Sequence, residues 1–417
     1  MRYTPLRFGG DERVLVESRL PRCEGVRPLP PYAANSAMNI LMFWFRRDWG
    51  QFGRAYEKIA EQLVLQPGVG RLVCVLPPVP AEPRRWGWPL RIYQRSRRLV
   101  VVSPRSNVVP THGVGFRARA WLNARCPELA LRMLLRLLGF RASNTLRWVY
   151  PAHAYIDSLL GLVVGRHTVV QIVDNNVELE TISDERRQSI ADQYDTLARR
   201  ADCVVVSSVA NREAFSRLNP RCVLFENAVD PRFIRPPSEL PCRRSGARPR
   251  LGYVGWITER TDVELLTLLA RERPQYDVVL AGPDKVGSLQ PLLALPNVQW
   301  LGMVPQEQVA DLIATFDVCL MPHRDTAYSR SMSPLKLYQY LGSGRPIVST
   351  EVAGVDRWRH LISVVATPAA FVAAVDEALK SDSLQCAGER IEAASSETWD
   401  RRVGSMYRAV MDAVTAR

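Results

Sequence analysis

Short, almost wholly apolar runs alternate along this chain with longer stretches of helical period, and the alternation is written twice. Met38–Phe45 (MNILMFWF) is the first apolar run. Apolar positions at Ala55, Ile59, Leu63 and Leu65 then trace one face of a helix, which Gln66-Pro67-Gly68 stops. Leu72–Leu76 is the second run, closed by Pro77-Pro78. Unbroken apolar runs of this length are those of strands buried on both faces, and helical segments between them predict parallel βαβ units. The series continues with strands at 99–102, 168–173, 203–206 and 222–225, and helices at 128–141, 183–201 and 211–218. Pro231 to Arg250 is rich in Pro and Arg and has no period, which predicts a linker. A second series opens at Arg250–Gly255. It has strands at 277–281, 298–301, 317–321 and 347–348, helices at 262–272, 306–314 and 334–341, and closing helices at 370–380 and 389–414. The expected fold is α/β, with two doubly wound Rossmann-like domains facing each other across a cleft. Residues 1–36 read as a loosely packed extension, 37–236 as the first domain, 237–249 as the linker, 250–370 as the second domain and 371–417 as terminal helices.

Composition narrows the class. A chain of 417 residues is too long for one ordinary core, and 47% apolar with 23% charged residues is a globular balance. No apolar run reaches the ~18–20 residues that span a bilayer, and the first twenty residues hold no apolar core of signal-peptide type. The eight cysteines are scattered, with no C-x-x-C pair and no histidines beside them, so they read as thiols of a cytoplasmic protein rather than as disulfides or metal ligands. The net charge of +13 is local: residues 81–147 carry 14 arginines against Glu82 and Glu128. Such a region suits an anionic membrane surface, a diphosphate-bearing substrate or nucleic acid, and the absence of any recognition motif ranks nucleic acid last. Within it, ELALRMLLRLLGFR (128–141) sets Arg132 and Arg136 one turn apart on a Leu/Met/Phe surface. Such a helix lies in a membrane interface or packs in a core with its arginines snorkelling, and the sequence leaves both readings open.

The chemistry concentrates at the strand ends of the second series. The junctions at Gly255, Pro283, Gly302, Pro322 and Ser331 open on one edge of the sheet, where ligands of doubly wound folds bind. The stretch Ser331–Thr350 begins with Ser333 as a candidate N-cap and Pro334 at the first helical position, and Lys336 falls in the first turn. Lysine is scarce, with Lys58, Lys285, Lys336 and Lys380 against 51 arginines. A helix start with a compact ammonium attracts an anion, so a phosphate-bearing ligand is expected at 333–336, facing the loops 46–53 and 174–176. Asp174, at a strand end facing that cleft, is the first candidate for a general base; its ordinary alternative is a turn or cap role. His153 and Glu226 are the other candidates.

At this point the residues resemble the GT-B glycosyltransferases, two-Rossmann enzymes that use a sugar nucleotide. The resemblance runs from about Asn39 to Thr350. It is carried by Tyr253-Val254-Gly255, by Val279–Pro283 (VLAGP), by Asn297–Gly302 (NVQWLG), by Phe316–Pro322 (FDVCLMP) and by Pro334–Leu341 (PLKLYQYL). In the first half, Ala201–Ser208 (ADCVVVSS) and Glu226–Asp230 (ENAVD) contribute. Retaining members place two glutamates eight residues apart in the last motif of the second half; the matching positions here are Ser331 and Gln339. They also place a basic pair where this chain has Trp256 and Thr261, beside Arg260. Lys followed three residues later by Gln is closer to exopolysaccharide glycosyltransferases such as the xanthan glucuronosyltransferase. The resemblance implies that Lys336 neutralises the departing diphosphate, that Gln339 contacts the ribose and that no metal cofactor is required. It implies a donor set of Gly255, Trp256, Arg260, Met303, Val304, Arg324, Ser331, Ser333, Lys336 and Gln339. The acceptor side would use Arg46, Gly50, Gly53, His153 and Asn175, with Asp174 and Lys336 carrying the chemistry. The implied partners are a nucleoside-diphosphate sugar, most simply a UDP-sugar, a lipid-linked or glycan acceptor, and the inner face of the membrane. The competing readings keep the fold: a sugar-nucleotide epimerase or phosphorylase, or a non-catalytic nucleotide-sugar binding protein.

Overall fold

Two parallel sheets, each wound on both sides by helices, form the framework. The structure, a computed structural model, describes residues 37–417 apart from 51–52, 80–87, 106–115, 152–155, 157–159, 162, 164, 240–245 and 417. The expected extension at 1–36 and the candidate His153 lie outside the described residues, and all described residues belong to one compact unit.

The first domain contains β1 (Met38–Phe43), α1 (Ala55–Leu63), β2 (Val69–Val75), β3 (Leu90–Arg95), β4 (Leu99–Pro104), α2 (Phe116–Leu137), β5 (Thr145–Val149), β6 (His167–Ile172), α3 (Asp184–Arg200), β7 (Cys203–Val206), α4 (Val209–Ser216) and β8 (Cys222–Leu224). The sheet order is β3-β4-β2-β1-β5-β6-β7-β8, parallel except for β3, which returns antiparallel along β4. The apolar runs read from the sequence are the central strands, buried on both faces. Helix α3 forms where Ser183 accepts the Arg186 N–H (3.2 Å), with Asp184 and Glu185 in the first turn and Arg199 and Arg200 in the last, all favourable to the helix dipole. Two strands escaped the pattern. β5 carries Arg147 in mid-strand, held by hydrogen bonds from its guanidinium to Thr168 Oγ1 (3.0 and 2.6 Å). β3 is an edge strand whose residues are largely polar or basic. Helix α2 also starts earlier than expected, running through Pro127, which from sequence reads as a boundary.

The second domain contains β9 (Arg250–Val254), α5 (Val263–Glu272), β10 (Asp277–Ala281), α6 (Gln290–Leu293), β11 (Val298–Trp300), α7 (Gln306–Ala314), β12 (Val318–Met321), α8 (Ala327–Arg330), α9 (Leu335–Gly342), β13 (Ile347–Thr350), β14 (Ser363–Val365), α10 (Pro368–Ser381) and α11 (Leu384–Ser395). Its order is β11-β10-β9-β12-β13-β14, all parallel. The last helix, α12 (Trp399–Thr415), belongs elsewhere: Trp399, Val403, Met406, Tyr407 and Val410 fill the first domain's core beside Tyr56, Ile59 and Leu63. The single closing helix expected at 389–414 is therefore two. They are separated where Val229 N–H donates to Glu397 O (2.9 Å) and Trp399 N–H to Val229 O (3.2 Å).

Strand order places the ligand edge. In the first sheet the winding reverses between β1 and β5, and in the second between β9 and β12. A crevice opens at the carboxyl end of strands at such a switch point. The segments leaving β1, β9 and β12 line a common cleft, contributing Arg46 and Gly53, Trp256 and Arg260, and His323.

Candidate functional site

The cleft has a volume of about 550 Å³ and is lined by both domains. From the expected donor set, Gly255, Trp256, Arg260, Met303, Val304, Ser333, Lys336 and Gln339 line it; from the acceptor side, Arg46, Gly53 and Asp174 do.

Lys336 is the centre of the donor side. It sits in the first turn of α9, and its Nζ donates to Tyr253 Oη (2.9 Å) and to His323 Nε2 (3.2 Å) while lying 4.0 Å from the centre of the Tyr253 ring. An ammonium has no lone pair to offer, so His323 Nε2 is the acceptor and its proton is on Nδ1. Burial, with the neighbouring Lys336 and Arg260 cations, pushes His323 well below the ordinary imidazole range, which keeps it in the accepting form. Burial likewise lowers the Lys336 ammonium, and the Tyr253 hydroxyl opposes that shift. Among the described residues no carboxylate pairs with Lys336 or with Arg260, whose guanidinium lies 5.1 Å from the Tyr328 ring centre. Lys336 and Arg260 thus bring two cations without carboxylate partners to one wall of the cleft. Gly255 leaves room beside Lys336: a Cβ there would lie 3.1 Å from Lys336 Nζ, and the residue's φ of +148° is one that side chains rarely adopt.

Trp256 forms the wall next to this site, with Arg54 of the first domain 4.6 Å and Lys285 of the second 4.7 Å from its ring. Across the cleft, Asp174 Oδ2 accepts from Tyr328 Oη (3.3 Å), and the Asp174 carbonyl accepts from Tyr194 Oη (3.3 Å). Asp174 therefore faces the donor side from a loop anchored at both ends of the residue.

The stretch leading into α9 is fastened by the first domain. Asn175 N–H donates to Ser331 Oγ (3.1 Å), the fully buried Asn211 amide donates to Ser331 O (2.9 Å), and Asn227 donates from its N–H to Ser333 Oγ (2.9 Å) and from its amide to Ser333 O (2.5 Å). This seam corrects several expectations. Ser331 is buried, donates to Tyr328 O (2.7 Å) and serves the seam instead of the cleft. Asn175 is used in the same seam and in a turn, accepting from Val177 N–H (3.3 Å), so that Asn176 lines the cleft in its place. Ser333 is not the helix cap: Pro334 occupies that position, and the Ser333 hydroxyl is committed to Asn227.

Three further assignments are corrected by their partners. Arg324 turns outward to an ion pair with Glu264 and does not line the cleft. Gly50 is drawn away, its N–H bound to Glu57 Oε1 (3.0 Å). Glu226 is held between Arg357 (3.3 Å) and Arg402 (3.8 Å), away from the cleft. His323, Tyr328, Asn211 and Asn227 were missed. Two of them had a signal: His323 directly follows the strand-end junction at Pro322, and Asn227 lies within the ENAVD motif. Among the described residues no group of three or more His, Cys, Asp or Glu side chains is placed to hold a metal ion.

Residues 248–381 match the model of the family Glycosyl transferases group 1. The provisionally assigned teichuronic acid biosynthesis glycosyltransferase TuaH of Bacillus subtilis is 28% identical over 188 residues, which are 42% of this chain and 47% of that protein, so the match spans about half of that relative. Sucrose-phosphate synthase from Thermosynechococcus elongatus superposes with a TM-score of 0.65 at 16% identity, over 90% of this chain and 100% of that one. Anabaena HepE, solved in complex with UDP and glucose, does so with a TM-score of 0.61 at 14% identity, over 90% of this chain and 99% of that one. The chain has the GT-B fold, and the match to the group 1 glycosyltransferase model lies within its second domain.

Proposed function

We propose that this protein transfers a sugar from a nucleoside-diphosphate donor to a lipid-linked or polysaccharide acceptor in the synthesis of a cell-envelope or extracellular glycan. The observation that carries the reading is Lys336, a half-buried cation without a carboxylate partner among the described residues, in the first turn of a helix whose start lines a cleft between two switch points. The diphosphate lies against Lys336 and Arg260, whose charges stabilise it as it departs; Gln339, one turn further on, faces the ribose. Asp174 takes the proton of the acceptor hydroxyl as it attacks the anomeric carbon. The two cations supply the charge stabilisation without a metal. The teichuronic acid assignment of TuaH supports an envelope glycan, and HepE's complex supports UDP as the nucleotide. The protein acts on the cytoplasmic side of the membrane. Thermal shift with UDP-, GDP- and dTDP-sugars, followed by assay of nucleotide release, tests the reading. One donor class is expected to raise Tm and to release its diphosphate. A shift without turnover under any acceptor supply would assign a binding protein instead, and no shift with any donor would remove the reading altogether.

The seam gives a separable prediction. Asn211→Ala leaves the buried Ser331 carbonyl without its donor, at a cost of about 1–3 kcal/mol. Because the released stretch sets the start of α9, turnover is expected to fall by more than about tenfold as well. Asn219→Ala is the control. Asn219 is equally buried and donates to Ala198 O (2.9 Å) and Ala201 O (2.7 Å) outside the cleft lining. Denaturant unfolding should show similar losses for both, and only Asn211→Ala should lose turnover.

A further inference from the structure

One face of the first domain is apolar, cationic and uncovered. On α2, positions 129, 132, 133, 136 and 137 follow one another at helical spacing and form a single stripe: Leu, Arg, Met, Arg, Leu. Leu129, Met133 and Leu137 are 54%, 63% and 81% exposed, whereas Leu131 and Leu135 on the opposite side are buried in the core beneath the sheet. The edge strand β3, which α2 packs against, adds Ile92 at 49% exposure, and Trp88 just before it is 83% exposed. Five of the twelve exposed large apolar side chains among the described residues thus sit on or beside two adjoining elements. Arg132 and Arg136 are exposed here and make no ion pair among the described residues; Glu128 is paired with Arg125 (3.5 Å).

We propose that α2 and β3 form a docking face for an anionic bilayer, with α2 lying in the plane of the interface. Leu129, Met133 and Leu137 enter the boundary between headgroups and acyl chains, and Arg132 and Arg136 reach up from the same stripe to the phosphates. The charge selects this occupant over others. Arg132 and Arg136 stand on the stripe without acidic partners among the described residues, so a second copy of this face would bring like charges together. A nucleic acid would satisfy the arginines and leave three exposed aliphatic side chains in water. The inference goes beyond the transferase reading and does not depend on it, because its test involves no nucleotide.

The test is co-sedimentation of the full-length protein with two vesicle types, pure phosphatidylcholine and phosphatidylcholine with about one-third phosphatidylglycerol. Binding to the anionic vesicles and little to the neutral ones is expected, with a decline at high salt. Each arginine near an anionic surface is worth about fivefold in partitioning, so Arg132→Gln with Arg136→Gln should weaken binding about 30-fold. Leu129→Ser with Met133→Ser and Leu137→Ser should weaken it at low and high salt alike. All five side chains are exposed, so unchanged Tm and far-ultraviolet circular dichroism confirm that the variants are folded. Equal binding to both vesicle types, or unchanged binding by either variant, would overturn the proposal. So would a dimer in analytical ultracentrifugation that the serine variant abolishes, or salt-sensitive RNA binding tighter than binding to the anionic vesicles.

Discussion

Lys336→Met is expected to lower turnover of the nucleotide-sugar by about 100- to 1,000-fold, the scale of losing one preorganised charge at a developing anion, while Tm stays level or rises. The second half of that result distinguishes the role. A lysine retained for stability would be paired with a carboxylate, and its loss would loosen the fold. Lys336 is instead half-buried at the cleft wall between a tyrosine hydroxyl and a neutral histidine, with its ammonium lowered by desolvation, so removing it removes a partly desolvated charge. Lys336→Arg is not expected to restore activity. The space at Nζ is bounded by Tyr253 Oη at 2.9 Å and by the backbone of Gly255, and a planar guanidinium does not fit where a compact ammonium does. Single-turnover assay alongside thermal unfolding measures both halves. A variant that loses several degrees of Tm together with its activity would make Lys336 a structural residue and would withdraw its assignment to the diphosphate.

Gly282→Ala should be strongly destabilising to the second domain. Gly282 has φ +130°, and a Cβ there would lie 2.0 Å from Gly255 O and 2.7 Å from Gly255 C, atoms of the backbone that cannot rotate aside. The two glycines close the ends of β10 and β9, where Gly255 N–H donates to Ala281 O (2.9 Å) and Gly282 N–H to Gly302 O (2.7 Å). Relief of the clash must displace Gly255, and with it the wall beside Lys336. A loss of more than ~3 kcal/mol is expected, with nucleotide binding impaired in whatever remains folded. Gly302→Ala is the comparison: its φ is +63° and nothing lies within 4 Å of its Cβ, so only the left-handed backbone penalty of about 1–2 kcal/mol applies. Urea unfolding of the two variants separates steric closure from backbone strain. Equal losses would mean that the strand ends are looser than their contacts imply.

What the sequence disclosed about this molecule was what local pattern can carry. The central strands of both sheets are apolar runs, and the Lys336 helix begins at a proline after a small polar residue, so these were visible residue by residue. Features that depend on distant partners were not. Ser331 meets Asn175 and Asn211 from 156 and 120 residues away, and Ser333 meets Asn227 from 106. Nothing in the neighbourhood of either serine distinguishes a seam from a ligand contact, which is why Ser331 was placed in the donor set and Ser333 at the cap. Arg324 was misplaced for the opposite reason: its position beside a strand end was right, but an exposed glutamate one helix away captured its side chain. His323 follows a proline at a strand end and carries no periodic signal; its importance comes from being enclosed with Lys336. The destination of α12 was equally invisible, because an amphipathic helix advertises an apolar face without naming the surface that will bury it.

That destination has a mechanical consequence. The chain passes between the domains twice, once after β8 and once between α11 and α12, and the two passages lie side by side, with Val229 exchanging hydrogen bonds with Glu397 and Trp399. Two connections pinned together at one place act as a single pivot. They allow the halves to swing about an axis through Val229 and Thr398 and resist sliding or twisting of one half over the other. Rotation about that axis would have to break the bonds at Ser331 and Ser333, which join the two halves on the cleft side of the pivot.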